Sequence, residues 1–273
     1  ALMWEVVYIA ASLRLPICMA MVNRAPGGNI NIHCDHSDSM GGRDAGWIHL
    51  FSENAQESYD NAVMSWRIAE HMDVRLPVMV NYDGFIISHT ADALYMLPDD
   101  VAWKFIGKYK PAYTLLNPEK PITVGPLDLT DYYFEHKTSQ LAAYDKAPAI
   151  IQQVSDEFAD LTGRRYGFAE EYRLDDADMV MVLLGSSAGT CKDVIDQYRE
   201  KGVKVGLLKL RTFRPFPAAY LAKVLSGRKA VCVLDRSASF GGQGGPLFME
   251  TRSAMYGLQV PVHAGCALPL AGA

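Results

Sequence analysis

The sequence contains no long apolar run and no paired cysteines, and each absence excludes a class of protein. No stretch of about 18 uninterrupted apolar residues occurs, so no transmembrane helix is predicted. The five cysteines are scattered without a Cys-x-x-Cys pair, which favours reduced thiols in a cytoplasmic protein over a disulfide framework. The same scatter excludes the usual clustered ligation of an iron–sulfur cluster by this chain. The net charge of −5 gives no general attraction to nucleic acid or to an anionic membrane.

Two glycine-rich turns also lack the spacing of known nucleotide-binding templates. Gly185-x-x-x-Gly189-Thr190 opens a predicted helix, but it has neither Gly-x-Gly-x-x-Gly nor the lysine of a phosphate-binding loop. A tight turn between strand and helix, capped by Ser187 or Thr190, is the better interpretation. The segment 240–246 fits neither template, and its glycines permit close backbone approach, for example to another subunit.

What the sequence does contain is an alternation of strand-like and helix-like runs in two blocks. In the first block a strand, a long crossover and a second strand imply a parallel pair. In the second block the apolar strands are typical of a parallel sheet buried on both faces. The first block comprises helix 1–12, strand 15–22, helix 53–71 and strand 76–82. The second comprises strands 179–184, 203–208 and 230–234, with helices 190–202, 217–226 and about 246–257.

A region of different composition separates the blocks. Five prolines and four tyrosines within 97–137 predict a long irregular arm over the surface. A helix over 138–162 follows and ends at Gly163. The sequence therefore predicts an α/β fold with two domains, residues 1–125 including the arm and residues 126–273.

Residues 31–49 combine many titratable side chains with glycines, which is typical of an active-site loop and equally of an incidental polar surface loop, so the wider sequence has to decide between them. Within it, glycines flank Arg43-Asp44 on both sides, so the backbone can turn tightly while Arg43 projects into a cleft. A guanidinium is the natural partner of a substrate carboxylate, through a contact worth about 1.5–3 kcal/mol. The alternative is a local salt bridge between Arg43 and Asp44.

The same segment also invites a metal interpretation. His33, Asp35, His36 and Asp38 alternate ligand types that suit first-row metals, as in a metal-dependent hydrolase. No further ligands are obviously organised to complete that set. Farther along, Asp83-Gly84-Phe85 ends the second strand, at the sheet edge where ligands bind in open α/β proteins, or else forms a simple turn.

Many spaced motifs together resemble the α subunit, or corresponding region, of the 2-oxoacid:ferredoxin oxidoreductases, most of all pyruvate:ferredoxin oxidoreductase. The similarity runs over nearly the whole chain. The motifs in the first half are Arg14-Leu-Pro-Ile, Val22-Asn-Arg, Asp35-His36-x-Asp38, Arg43-Asp44-x-Gly46, Glu53-x-x-Gln56-Glu57-x-Tyr59-Asp60, Leu76-Pro77-Val78 and Asp83-Gly84-Phe85-x-x-Ser88-His89. Those in the second half are Leu207-x-x-Leu210-Arg211-x-x-Arg214-Pro-Phe-Pro217 and Val233-Leu-Asp-Arg236-x-x-Ser239-Phe-Gly-x-x-Gly-Gly-Pro-Leu247.

The resemblance implies part of a thiamine-diphosphate pyrimidine-binding domain, followed by a transketolase C-terminal-like domain. It implies oxidative decarboxylation of a 2-oxo acid, by default pyruvate, with coenzyme A, to acyl-CoA and CO2 in anaerobic metabolism. Thiamine diphosphate and Mg²⁺ would be shared with a partner subunit. The [4Fe-4S] clusters that pass electrons to ferredoxin would lie on β-, γ- and δ-type partners of a cytoplasmic hetero-oligomer. Arg43 would bind substrate, and Asp44 and His36 would orient the loop or assist proton transfer, while the resemblance assigns no residue of this chain to cofactor or metal binding.

Three alternatives stay open at this stage. The same fold could oxidise oxalate or another 2-oxo acid, the chain could be a non-catalytic scaffold subunit, or residues 33–38 could form the metal site of a hydrolase. A dicarboxylic substrate would need further cationic or polar groups near Arg43, and this loop offers His33, His36 and His49. Because a helix is predicted from the first residue with no cap before it, we expect an internal piece of a longer subunit, inactive alone.

Overall fold

The computed structural model describes residues 2–27, 29–111 and 113–266. The predicted α/β class is confirmed, with two mainly parallel sheets and helices packed on them. The helices are α1 (Leu2–Ser12), α2 (Ser37–Gly41), α3 (Ala55–Glu70), α4 (Asp99–Ile106), α5 (Tyr133–Thr162), α6 (Ser187–Glu200), α7 (Ala218–Leu225) and α8 (Pro246–Ala254). The strands are β1 (Cys18–Asn23), β2 (Ile48–Phe51), β3 (Val78–Asp83), β4 (Ala169–Tyr172), β5 (Met179–Leu184), β6 (Val205–Leu210), β7 (Thr212–Arg214), β8 (Ala230–Asp235) and β9 (Val262–Cys266).

The first sheet has the strand order β1-β3-β2-β7. The predicted parallel pairing of β1 with β3 is confirmed. The loop prediction for 31–49 is wrong in two places, because α2 and the start of β2 lie inside it. All four residues of β2 are buried, since Ile-His-Leu-Phe presents apolar surface to both faces of the sheet. Strand β7 comes from the second half of the chain and pairs antiparallel with β2, so the two halves share a sheet.

Helices α3 and α5 cover the first sheet and enclose its core. Helix α3 begins where the Asn54 side chain accepts the backbone N–H of Glu57 at 2.9 Å, while the Glu57 carboxylate accepts that of Glu53 at 2.8 Å. Helix α5 begins five residues before its predicted start and ends, as predicted, at Gly163, which is left-handed with φ of 75°. Since α5 packs on the first core, it follows the arm but belongs structurally with the first sheet. The predicted domain boundary at residue 125 stays a prediction.

The second sheet has the order β4-β6-β5-β8-β9 and encloses a second core against α7 and α8, to which Met40 and Phe51 of the first half also contribute. Its central strands are parallel and β4 is an antiparallel edge strand. Strands β4, β7 and β9 were not predicted, because each is short and none shows a long apolar run. Helix α6 begins three residues before its predicted start, at Ser187, without a side-chain cap from the residue before it. The predicted cap by Ser187 or Thr190 is therefore wrong.

The arm over 97–137 is irregular apart from α4 and the start of α5. Four cysteines of the described residues, Cys18, Cys34, Cys191 and Cys232, are free thiols. The side chain of Cys266 and the rest of the C-terminal segment lie outside the described side chains. Over the part of the chain that the structure describes, no helix is both long and apolar enough to cross a membrane.

Candidate functional site

The carboxyl ends of β1, β3 and β8 meet at the segment 33–44, which we call the site segment. The backbone N–H of His36 donates to the carbonyl of Arg236, just after β8, at 2.9 Å. At the other side, Asn23 at the end of β1 donates its side-chain amide to Asp38 at 2.9 Å. The site segment is thus held against strands of both sheets, at the edge where open α/β sheets bind ligands.

Asp83, at the end of β3, is the centre of this edge and is fully buried. Its Oδ1 lies 2.9 Å from Nε2 of His36. Its Oδ2 accepts the backbone N–H of Ser186 at 2.9 Å and Nη1 of Arg236 at 2.7 Å, and it also accepts the hydroxyl of Ser186. We call these four residues the Asp83 cluster. One carboxylate therefore joins the site segment, the start of α6 and the end of β8.

Electrostatics keep Asp83 ionised in spite of its burial. Burial alone would raise the pKa of this carboxyl, but the charge and hydrogen bond of His36, together with Arg236 and Ser186, hold it well below its usual range. The thiol of Cys34 lies beside the same carboxylate, and burial followed by the charge of Asp83 raises the pKa of Cys34 far above its usual value. Cys34 is therefore held as a neutral thiol at physiological pH.

The four residues proposed as metal ligands do not converge. Asp35 accepts the backbone N–H of Ser37 at 2.7 Å, and Asp38 accepts those of Arg24 and Ser39 at 3.0 and 2.7 Å. His33 instead packs its ring against Phe85, 4.7 Å between centroids. Within the described residues, His36 lies near Cys34 and Asp83, where Arg236 already neutralises the carboxylate. The structure thus gives the hydrolase alternative no assembled ligand set.

Arg43 and Asp44 lie at the mouth of a cleft of about 390 Å³. Nε of Arg43 is 3.6 Å from the Asp44 carboxylate, which is 68% exposed, so the local salt bridge is long and solvated. Lys137 has neutral partners, Ser12 and Gln140, at 2.9 and 3.2 Å. The cleft is lined by three cations, one carboxylate and uncharged side chains: Arg43, Lys137, Arg214, Asp44, Gln140 and Tyr144 among them.

The cations beside Arg43 were not found from sequence, because Lys137 and Arg214 come from distant segments. Arg214 donates from Nε to the carbonyl of Arg43 at 3.2 Å and from Nη2 to Asp44 at 3.2 Å and Glu250 at 2.5 Å. It therefore fixes the backbone on which Arg43 sits, and the cleft keeps a positive balance. The expectation that histidines of the loop are the available extra groups was too narrow; His49 in fact lies fully buried in β2.

Asp235, at the end of β8, links the two parts of the edge. Its carboxylate accepts the backbone N–H groups of Leu247 and Phe248 at 2.9 Å each, at the start of α8. Burial raises the pKa of Asp235, while those N–H groups and the charges of His36 and Arg43 act in the opposite direction. The glycine-rich turn approaches this residue closely, since a Cβ on Gly245 would lie 2.2 Å from Cγ of Asp235.

A second group of charged residues, centred on the buried Lys209, lies between the two sheets and was not predicted. Nζ of Lys209 is 2.6 Å from Glu53, 2.5 Å from Glu57 and 2.7 Å from Glu170. Lys192 adds a second cation, 2.9 Å from both Glu53 and Glu170. We call these five residues the Lys209 cluster. Because two lysines already occupy the space between the carboxylates, the cluster has the contacts of a structural ion network.

Comparison with known proteins identifies the family of this chain. A family model described as pyruvate flavodoxin/ferredoxin oxidoreductase, thiamine diphosphate-binding, matches residues 1–156. A model described as pyruvate:ferredoxin oxidoreductase core domain II matches residues 177–267. The chain is 55% identical to pyruvate synthase subunit PorA of Thermotoga maritima over 256 residues, 94% of this chain and 65% of that protein. It is 40% identical to ketoisovalerate oxidoreductase subunit VorA of Pyrococcus horikoshii, over 94% of this chain and 64% of that one.

A solved structure shares the fold. The 2-oxoglutarate:ferredoxin oxidoreductase from Magnetococcus marinus superposes with a TM-score of 0.66 at 19% identity, over 98% of this chain and 49% of that one. The chain spans just under two thirds of the length of the Thermotoga protein. The resemblance predicted from the spaced motifs is confirmed. Since the first model alone covers more than half of the sequence, the chain belongs to the pyruvate flavodoxin/ferredoxin oxidoreductase family.

Proposed function

We propose that this protein is part of a thiamine-diphosphate-dependent 2-oxoacid:ferredoxin oxidoreductase that converts a 2-oxo acid and coenzyme A to acyl-CoA and CO2. The observation that carries the proposal is the positively balanced cleft at Arg43, which lies on the same site segment as His36. Pyruvate is the favoured substrate, because the Thermotoga relative named pyruvate synthase subunit shares 55% of the aligned residues. The ketoisovalerate-named relative at 40% identity makes a branched 2-oxo acid the runner-up.

Arg43 is the residue to which we assign the substrate carboxylate. Its side chain is 27% exposed and its guanidinium has one long ionic contact, so it keeps donors for a two-pronged bond to a carboxylate. Arg214 would hold the backbone of Arg43 in place, and Asp44 would contact its side chain from 3.6 Å. A lysine at this position would keep the charge and lose the planar pair of donors.

The residues of this chain fit one wall of the cofactor site. When bound, thiamine diphosphate supplies a nucleophilic carbon and takes up the electron pair left by decarboxylation. The C-terminal strand edge, with His36 on it, is where we place that wall. Both clusters of potential metal ligands in the described ranges are neutralised by Arg236 or by Lys192 and Lys209, so we assign Mg²⁺ and the diphosphate to a partner chain.

Partners must also supply the electron path. Because the cysteines of this sequence are scattered, we assign the [4Fe-4S] clusters, and the contact with ferredoxin, to β-, γ- and δ-type subunits or domains. We place the complex in the cytoplasm. His36 and Asp44 are proposed to assist proton transfer and to orient the site segment.

The proposal is tested by turnover of the complex that contains this chain, purified without oxygen. Each 2-oxo acid and oxalate would be added in turn, with and without coenzyme A, while reduction of ferredoxin or a viologen dye is followed. Pyruvate-dependent reduction that requires coenzyme A would support the proposal. Oxalate-dependent reduction without coenzyme A would move the substrate, and no reduction in a complex that retains its cofactors would favour a scaffold.

Arg43→Ala in the same complex tests the assignment of the carboxylate. Loss of a charged contact of about 1.5–3 kcal/mol lowers kcat/KM for the 2-oxo acid by about 10- to 150-fold. The matched control is Arg67→Ala, because Arg67 has the same 27% exposure and pairs with Glu157 away from the cleft. An Arg43→Ala complex as active as the control would refute the assignment.

A further inference from the structure

The carboxylate of Asp83 accepts four hydrogen bonds from elsewhere in the chain. Oδ1 receives His36 Nε2, and Oδ2 receives Arg236 Nη1 together with both the N–H and the hydroxyl of Ser186. Two of those residues belong to the second half of the chain and one to the site segment. Asp83 is therefore the point at which three segments meet on a single buried charge.

This arrangement determines which ring nitrogen of His36 is available. Since the ionised carboxylate has no proton to give, Nε2 must carry the hydrogen in the contact with Asp83. The other ring nitrogen, Nδ1, makes no hydrogen bond to the residues that the structure describes, so it is the nitrogen that this contact leaves free. The ring itself packs on Phe51, 5.0 Å between centroids, which fixes its plane.

The backbone around Asp83 is shaped to allow this close approach. Gly185 has a positive φ of 74°, and a Cβ there would lie 2.8 Å from Oδ1 of Asp83. The start of α6 reaches the carboxylate because glycine precedes Ser186. The backbone bond from His36 to Arg236 closes the ring of contacts from the other side. A simple surface ion pair would need none of these features.

We propose that Asp83 is a positioning residue of the site: it fixes the tautomer and ring orientation of His36 and anchors the site segment to the second sheet through Ser186 and Arg236. The effect on catalysis through His36 rests on the proposed function, whereas the anchoring of the site segment concerns this chain alone. Asp83 itself does not contact substrate. Its effect passes through His36 and through the placement of residues 33–44.

The test uses Asp83→Asn in the native complex. Asparagine keeps the size of the side chain but puts an NH2 donor against the donors of Ser186 and Arg236. We expect kcat to fall at least tenfold with a smaller change in KM for the 2-oxo acid, because the backbone of Arg43 is held separately by Arg214. The double variant of Asp83→Asn and His36→Gln should be no slower than the slower single variant, since both remove the same function. Losses that multiply would overturn the action through His36.

A second measurement does not depend on activity. Hydrogen exchange, followed by mass spectrometry of the intact complex, should rise at 33–41 and 185–190 in Asp83→Asn. Asp178→Asn is the control, because Asp178 forms an exposed pair with Lys229 at 2.8 Å and touches neither segment. Unchanged exchange in both segments would overturn the anchoring. If no 2-oxo acid is turned over by the wild type, the proposed function fails while the exchange result still decides the anchoring.

If Asp83→Asn does not assemble, Ser186→Ala takes its place. It removes the hydroxyl and keeps the backbone N–H on the carboxylate, so a smaller rise in exchange confined to the same two segments is expected. Exchange that rises equally across the whole second sheet would contradict a local anchor.

Discussion

Replacing Lys209 by methionine should be among the most destabilising single changes in this protein. Lys209 is 4% exposed and is the shared partner of three carboxylates whose oxygens lie within 4.8 Å of one another. Burial alone would lower the pKa of Lys209, but Glu57 and Glu53 raise it well above its usual range, so the ammonium is charged at every physiological pH. Methionine keeps the length of the side chain and leaves Glu53, Glu57 and Glu170 with Lys192 as their remaining cation.

The size of the effect follows from the burial. Removing one partner of a buried ion network costs about 3–5 kcal/mol, because Glu53 and Glu57, 11% and 10% exposed, are left with little solvation. For a chain of this size that corresponds to a fall in Tm of about 6–20 °C. The control is Lys229→Met, in which an exposed pair with Asp178 is lost; a surface pair of this kind contributes about 0–1 kcal/mol. Thermal and urea unfolding of the two variants beside the wild type give the comparison.

The pH dependence of stability provides an independent check of the Lys209 cluster. In the wild type, burial would raise the pKa of Glu170, but hydrogen bonds from Lys209 and Lys192 lower it, so this stabilisation is present above the unfolded-state pKa and is lost as the pH falls. In Lys209→Met the neighbouring carboxylates repel one another, and protonation in acid removes that repulsion. The loss of stability relative to the wild type should therefore be smaller below neutral pH, and adding Glu57→Gln should recover part of it. Equal losses in Lys209→Met and Lys229→Met, at every pH, would refute the assignment of a stabilising network.

Two further changes test the fold around the site. His49 is fully buried with no hydrogen-bond partner for either ring nitrogen, and burial, helped by Arg214, lowers its pKa to about 3. Because His49 takes up a proton near pH 6.5 in the unfolded chain, it lowers the free energy of unfolding by up to about 1.4 kcal/mol per pH unit as the pH falls from 6.5 towards 3. His49→Leu should reduce the pH dependence of the urea midpoint over that range, and an unchanged pH dependence would contradict this account. Gly185→Ala should cost more than the about 1–2 kcal/mol of a left-handed alanine, since its Cβ would meet Asp83. Gly202→Ala is the control, because Gly202 has a φ of 81° with open space around it, so that only the backbone cost applies. Equal unfolding midpoints for the two variants would show that Asp83 moves aside without an energetic cost.

The parts of the fold that could be predicted from sequence were those set by local periodicity. Strand β5 was predicted at its observed bounds, and α5 ended where Gly163 supplies the left-handed cap. The parts that were missed depend on long-range packing. Strand β7 has three residues and exists because it pairs with β2, more than 160 positions earlier in the sequence. No window of neighbouring residues contains that information.

The candidate site divides in the same way. Polar residues after strands could be placed at one edge of the sheet from the order of elements, which is why Asp83 and the segment with His36 and Arg43 were noticed. The residues that accompany them at the cleft could not be identified from sequence. Lys137 reaches the cleft from α5, and Arg214 from β7. The sequence thus predicted the position of the candidate site and left the charge balance of the cleft undetermined.

The reason is that the buried charges of this chain pair across the junction between its halves. Asp83 meets Ser186 and Arg236 at separations of 103 and 153 residues, and Lys209 meets Glu57 at 152. Each of these charges would be costly to bury without its partner, so each pair is satisfied when the two sheets dock in one relative position. The same docking brings the site segment to the end of β8. The geometry of the site and the specificity of the docking therefore rest on the same set of ion pairs, and a change to Asp83 should alter both together.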